Sequence, residues 1–102
     1  MNPKRIPSRP PDPVDAEGFH TRGNRYSRTG SYESAIADYD KAIELDSELG
    51  SARFNRALIY LRHNRITAAI EELRLVIELA GGEDVELSER AMSLLEELGA
   101  SP

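Results

Sequence analysis

From Asp15 onward, apolar and small residues return along the chain at helical spacing; before it they do not. Phe19, Gly23 and Tyr26 stand at i, i+4 and i+7, one face of a first helix near residues 15–28. Tyr32, Ala35, Ile36, Tyr39, Ala42, Ile43 and Leu45 predict a second over about 32–46. Ala57 and Tyr60 belong to a third, about 50–62, and Ile66, Ala69, Ile70, Leu73, Val76 and Ile77 to a fourth, about 66–79. Gly81-Gly82 breaks the chain, and Leu87, Ala91, Leu94, Leu95 and Leu98 form the stripe of a fifth helix, about 84–98. Gly30 and Asn64 fall where the first and third helices should stop, and these residue types best tolerate the left-handed conformation that ends a helix.

The pattern repeats. Arg22/Arg56, Tyr26/Tyr60, Arg28/Arg62, Ala35/Ala69, Ile36/Ile70, Ile43/Ile77, Glu44/Glu78 and Leu45/Leu79 are identical pairs separated by 34 positions, and the segments 16–49 and 50–83 tile without a gap. The fifth helix continues the series, with Arg56-Ala57 returning as Arg90-Ala91 and Leu61 as Leu95. A period of 34 belongs to two-helix units that stack into a solenoid. The predicted fold is therefore all-α, a right-handed α-solenoid of antiparallel helix pairs with about five helices. Repeat 1 covers 16–49, repeat 2 covers 50–83, and a capping helix at 84–98 turns Glu89, Glu96 and Glu97 to solvent.

These residues resemble the tetratricopeptide repeat. The first copy supplies Phe19, Gly23, Tyr26, Ala35, Tyr39 and Ala42, with the strings Arg22-Gly23-Asn24 and Lys41-Ala42-Ile43-Glu44-Leu45-Asp46 close to the family pattern. The second supplies Ala57, Tyr60, Ala69, Leu73 and Val76, with Arg53 where a large apolar residue is expected. Ser47 and Gly81 stand where the family has proline. The small residues Gly23, Ala57, Ala35 and Ala69 sit where helices cross, since a bulky group there would hold the helices apart. The resemblance implies that the first helix of each pair lines a concave ligand-binding face.

Residues 1–14 hold Pro3, Pro7, Pro10, Pro11 and Pro13, too little apolar surface to offset ordering, and read as a flexible proline-rich tail. Within it, Lys4-x-x-Pro7-x-x-Pro10 matches a minimal pattern for aromatic-lined grooves. At 102 residues and net charge −5, with pI near 5.0, the chain fits one small domain and lacks the clustered cations of a nucleic-acid binder. It has no cysteine, no apolar run of membrane length and no signal-peptide pattern, so the expected setting is cytoplasmic, with no membrane partner. His20 and His63 lie on different elements, and no nucleophile turn, phosphate loop or metal-ligand spacing accompanies them, which argues against an enzyme and against a cofactor or metal.

The groove implied by the resemblance draws on His20, Asn24 and Arg28 from the first helix, Phe54, Asn55, Leu58 and Arg62 from the third, and Met92 from the fifth. Its first half is polar and amide-bearing, its second apolar. Segments 15–31 and 49–65 carry seven arginines against two acids, and segments 32–48 and 66–83 two cations against ten acids, so a protein or peptide partner of acidic or amphipathic character is expected. The counter-reading is that arginines pair with acids on neighbouring helices. Asn24 and Asn55 also resemble the paired amides of the carboxylate-clamp subgroup, which holds the C-terminal carboxylate of chaperone tails. His20, Val85 and Glu89 stand where that subgroup has cations. Three functions follow: an interaction scaffold binding a peptide or helix in the groove, a homo-oligomerisation module that pairs apolar faces of a homodimer, and a chaperone adaptor through a partial clamp.

Overall fold

The computed structural model describes residues 11–102, and the expected proline motif of residues 4–10 lies outside them. Five helices follow in order: α1 (Ala16–Arg28), α2 (Tyr32–Leu45), α3 (Gly50–Arg62), α4 (Ile66–Ala80) and α5 (Val85–Glu97). Each packs against the next, and α1 touches α3 as α3 touches α5, so the first members of the pairs form one layer and α2 and α4 the other. The array is a helical solenoid, as the 34-residue period implied.

The ends of α1, α3 and α5 are locked alike. The Ser31 amide donates to the Tyr26 carbonyl (2.9 Å), Arg65 to Tyr60 (2.8 Å) and Ala100 to Leu95 (2.8 Å). Gly30, Asn64 and Gly99 take the required left-handed φ of 81°, 59° and 73°. The third lock comes 35 residues after the second, so α5 keeps its register at Arg90-Ala91 but stops one residue later. Asp15 and Asp84 cap α1 and α5, their carboxylates accepting from the amides of Gly18 (2.8 Å) and Leu87 (3.0 Å).

Two apolar clusters hold the layers together. Ala35, Tyr39, Ala42, Ile43, Ala52 and Ile59 form one with Phe19 and Tyr26 at its edge. Phe54, Ala57, Ala69, Leu73, Val76, Leu87, Ala91 and Leu95 form the other. Helix α3 contributes to both, with Ala52 and Ile59 facing one and Phe54 and Ala57 the other. Ala52 and Ile59 were not in the sequence-derived stripe: a helix sandwiched between neighbours on two sides has no single apolar face to detect. Leu45, which the pattern assigned to the second helix's stripe, is 49% exposed at the helix end.

An arginine in each repeat ties the layers. Arg22 Nε and Nη2 donate to Asp38 Oδ2 and Oδ1 (2.8 and 2.9 Å), and Arg56 Nε and Nη2 donate to Glu72 Oε2 and Oε1 (3.1 and 2.7 Å). Each has a second arm: Nη1 of Arg22 reaches Asp12 (2.6 Å) and Nη1 of Arg56 reaches Asp40 of the preceding pair (2.8 Å). Arg56 thus joins α2, α3 and α4. The hydrogen bonds to Asp38 and Asp12 raise the Arg22 pKa above its ordinary value. For Arg56, burial works against the charge but the carboxylates of Glu72 and Asp40 more than offset it. Arg53, in the place of the expected large apolar residue, lies 3.7 Å from Glu72 and donates to the Ser47 carbonyl (3.2 Å).

The tightest crossing is at Gly23. A Cβ there would lie 2.7 and 2.9 Å from Cε1 and Cδ1 of Tyr39, a residue that is 1% exposed and has little room to retreat. Alanine favours a helix over glycine by about 1 kcal/mol, but overpacking costs about 1–3 kcal/mol, so Gly23→Ala should be net destabilising. We expect its melting temperature, followed by circular dichroism, to fall by roughly 5–10 °C. An unchanged or raised value would contradict this packing.

Candidate functional site

Where α1 meets α3 the side chains between them are polar. His20 and Asn24 lie one turn apart on α1, Asn55 comes from α3, and Tyr39 reaches across from α2. The Tyr39 hydroxyl donates to Asn24 Oδ1 at 2.6 Å. Asn55 Nδ2 donates to the same oxygen at 2.9 Å and to His20 Nε2 at 3.0 Å. Asn24 Nδ2 is 3.5 Å from that ring nitrogen. Facing only N–H groups, His20 Nε2 is an acceptor, which assigns the ring proton to Nδ1.

Burial lowers the His20 pKa from its ordinary 6.5, and the charge of Glu17 only partly opposes the shift. Burial likewise raises the Tyr39 pKa. The cluster is therefore built from neutral groups at pH 7. Two hydrogen-bonding sites are left over: Asn24 Nδ2 has only its long contact, and Asn55 Oδ1 has no partner among the described residues. Both residues line a recess of about 290 Å³, with Ser27, Arg28, Tyr39 and Leu58. Arg28 is exposed and makes no ion pair among the described residues.

A second recess of about 470 Å³ shares Leu58 and is completed by Phe54 of α3 and by Glu86, Glu89, Arg90, Ser93 and Leu94 of α5. Phe54 is 2% exposed, so it does not form an open apolar patch with Leu58 and Met92; it belongs to the core, and the Arg90 guanidinium stands 4.6 Å from its ring centre. Leu58 is half-buried, and Met92 is 40% exposed without lining either recess. Arg62 is drawn to the start of α2, 5.2 Å over the Tyr32 ring. A third recess, about 530 Å³, lies on another side of α1, where Thr21, Arg22 and Tyr26 face Pro11 and Pro13.

The structure thus brings His20, Asn24, Asn55, Arg28 and Leu58 together, with Phe54 beneath one edge, and leaves Arg62 and Met92 outside. Sequence reasoning missed Tyr39 and Arg90 as site residues. The Tyr39 ring belongs to the core, as its place in the apolar stripe predicts, and its hydroxyl reaches the site. Arg90 was visible as a repeat of Arg22 and Arg56, but its position on Phe54 depends on how α5 packs.

Protonating His20 Nε2 would set a donor against the donor of Asn55. Because the folded pKa is depressed, the unfolded chain takes up the proton first. The cluster's contribution to stability is therefore complete above pH 6.5 and lost as pH falls through the folded value. Between about pH 7.5 and 5, wild type should lose more stability in urea titrations than His20→Gln, in which the carboxylates titrate alike. Parallel pH profiles would show that the imidazole does not carry the effect.

Comparison with known families and proteins agrees with this architecture. A family model described as "TPR repeat" matches residues 23–64, and one described as "Tetratricopeptide repeat" matches residues 50–82; together they span more than half of the chain. "Protein STIP1 homolog" of Dictyostelium discoideum is 34% identical over 70 residues, 69% of this chain and 12% of that protein. "TPR repeat-containing thioredoxin TTL4" of Arabidopsis thaliana is 38% identical over 58 residues, 57% of this chain and 8% of that protein. "Sperm-associated antigen 1" of Mus musculus is 28% identical over 81 residues, 79% of this chain and 9% of that protein. The chain therefore spans about a tenth of the length of these curated relatives.

Proposed function

Because the chain belongs to the tetratricopeptide repeat family, whose helical repeats are protein-interaction modules, we propose that it binds an extended segment of a partner protein along the face formed by α1, α3 and α5. The observation that carries this reading is the Asn24–Asn55 amide pair. Tyr39 and His20 orient it, and it keeps one donor and one acceptor spare beside an open recess. A peptide bond presents one N–H and one C=O, so a pair of oriented amides matches backbone without demanding a particular side chain. Leu58 would add apolar burial and Arg28 a charge at the rim. Affinity should be modest, since so short an array buries little surface.

Capture of a chain-terminal carboxylate, the chaperone-adaptor reading, has little charge to draw on. His20 is held neutral, and Val85 and Glu89 supply no cation. Self-association has one observation in its favour, the exposure of Val85 (55%) and Met92 (40%) on α5. Light scattering over a dilution series decides it: a constant monomer mass is expected, and a dimer surviving at low concentration would move self-association ahead.

Selection of a phage-displayed peptide library on the folded chain tests the main reading. Peptides recovered on wild type should bind Asn24→Ala/Asn55→Ala at least about tenfold more weakly, as expected for losing two hydrogen bonds. Circular dichroism would check that the variant remains folded. Peptides indifferent to both substitutions would place binding on another face.

A further inference from the structure

We propose that the groove is electrically polar along its length and selects a peptide that is acidic at one end, apolar in the middle and basic at the other. The inference rests on the groove reading above and names the ligand chemistry of that site. A count along the chain gives α1 and α3 a surplus of arginine, which points to a uniformly acidic ligand. The structure pairs three of the seven arginines in segments 15–31 and 49–65 with carboxylates and places three more outside the two recesses. Arg22 is held by Asp38 and Asp12, and Arg56 by Glu72 and Asp40. Arg53 leans on Glu72 at 3.7 Å; Arg62 and Arg65 keep their charge but lie over the rings of Tyr32 and Tyr60 at 5.2 and 4.7 Å, outside both recesses, and Arg25 lines the recess on another side of α1. Arg28 remains beside the amides, without an ion pair among the described residues.

The opposite charge waits at the other end. Glu86 and Glu89 line the recess between α3 and α5, are exposed, and make no ion pair among the described residues. Arg90 sits among them, but its guanidinium is laid on the face of Phe54 and does not close a salt bridge with either carboxylate. The two recesses have one residue in common, Leu58. A segment crossing Leu58 therefore meets a cation and two amides on one side, and an apolar floor bordered by two carboxylates on the other. The complementary ligand carries Asp or Glu, then an apolar residue against Leu58, then Lys or Arg. A peptide of one sign is repelled at one end whichever way it runs. Each exposed charge contributes little alone and is screened by salt, so selectivity comes from their arrangement and is greatest at low ionic strength.

Three fluorescein-labelled peptides with a common leucine-containing centre test this by anisotropy: one with an acidic and a basic flank, one with two acidic flanks, one with two basic flanks. Wild type should bind the mixed peptide on the order of fivefold more tightly than either other. Glu86→Lys/Glu89→Lys should transfer the preference to the doubly acidic peptide, and Arg28→Glu to the doubly basic one. All three residues are exposed, so the variants should remain folded, which circular dichroism checks. Arg90→Ala, which removes the cation between the two glutamates, should tighten binding of the mixed peptide. If a single-sign peptide binds wild type as well as the mixed one, or if the charge-reversal variants keep the wild-type order, the polarity is overturned and the groove reading stands. If none of the three binds, the groove reading falls with it.

Discussion

The absence of a side chain at Gly23 is the constraint on which the rest depends. It lets the Tyr39 ring lie against α1 at a distance that any Cβ would forbid, and so sets the spacing of α1 and α2. That contact also aims the Tyr39 hydroxyl at Asn24 Oδ1, which accepts in turn from Asn55 of the next repeat. Asn55 then satisfies His20. A packing decision in the core is thus carried through four polar side chains to the rim of the recess. Core and site cannot be altered separately at this point.

The arginine staples do a different task. A guanidinium that forks onto one carboxylate and keeps a third donor for another can join three elements at once, as Arg56 does with Glu72 and Asp40. Lysine, with a single ammonium, lacks that planar fork. Asp12 gives Arg22 the partner that Asp40 gives Arg56, although Asp12 lies in non-helical chain before α1. Arg90, the third member of the series, makes no ion pair among the described residues and rests on Phe54. The departure from the repeat falls at the recess between α3 and α5.

This commitment of charge explains why a net count misleads. The arginine surplus of α1 and α3 is real, yet Arg22, Arg53 and Arg56 are paired with acids, mostly on neighbouring helices, the arrangement that the pairing alternative describes for arginines in general. The two recesses that share Leu58 keep Arg28 near the amides, and Glu86, Glu89 and Arg90 toward α5. The cation beside the amides lies in α1 and the acids in α5, at surface positions that a repeat is free to vary.

Much of the fold was legible from periodicity, because helix faces and the 34-residue interval are properties of spacing along the chain. The five helices, the stops at Gly30 and Asn64, and the small residues at Gly23, Ala57, Ala35 and Ala69 all follow from that spacing. The proximity of Asn24 and Asn55 was also within reach, since the repeat places both on the same layer. The burial of Phe54, the diversion of Arg62 to Tyr32, the double role of Tyr39 and the two faces of α3 were not. Each depends on where a side chain ends, and on which neighbour reaches it first across a helix crossing. Sequence alone determined the repeat and its layers; the tertiary structure decided which polar groups are consumed in holding those layers together and which are left for a ligand, because only packing brings residues 16 to 35 positions apart within hydrogen-bonding distance.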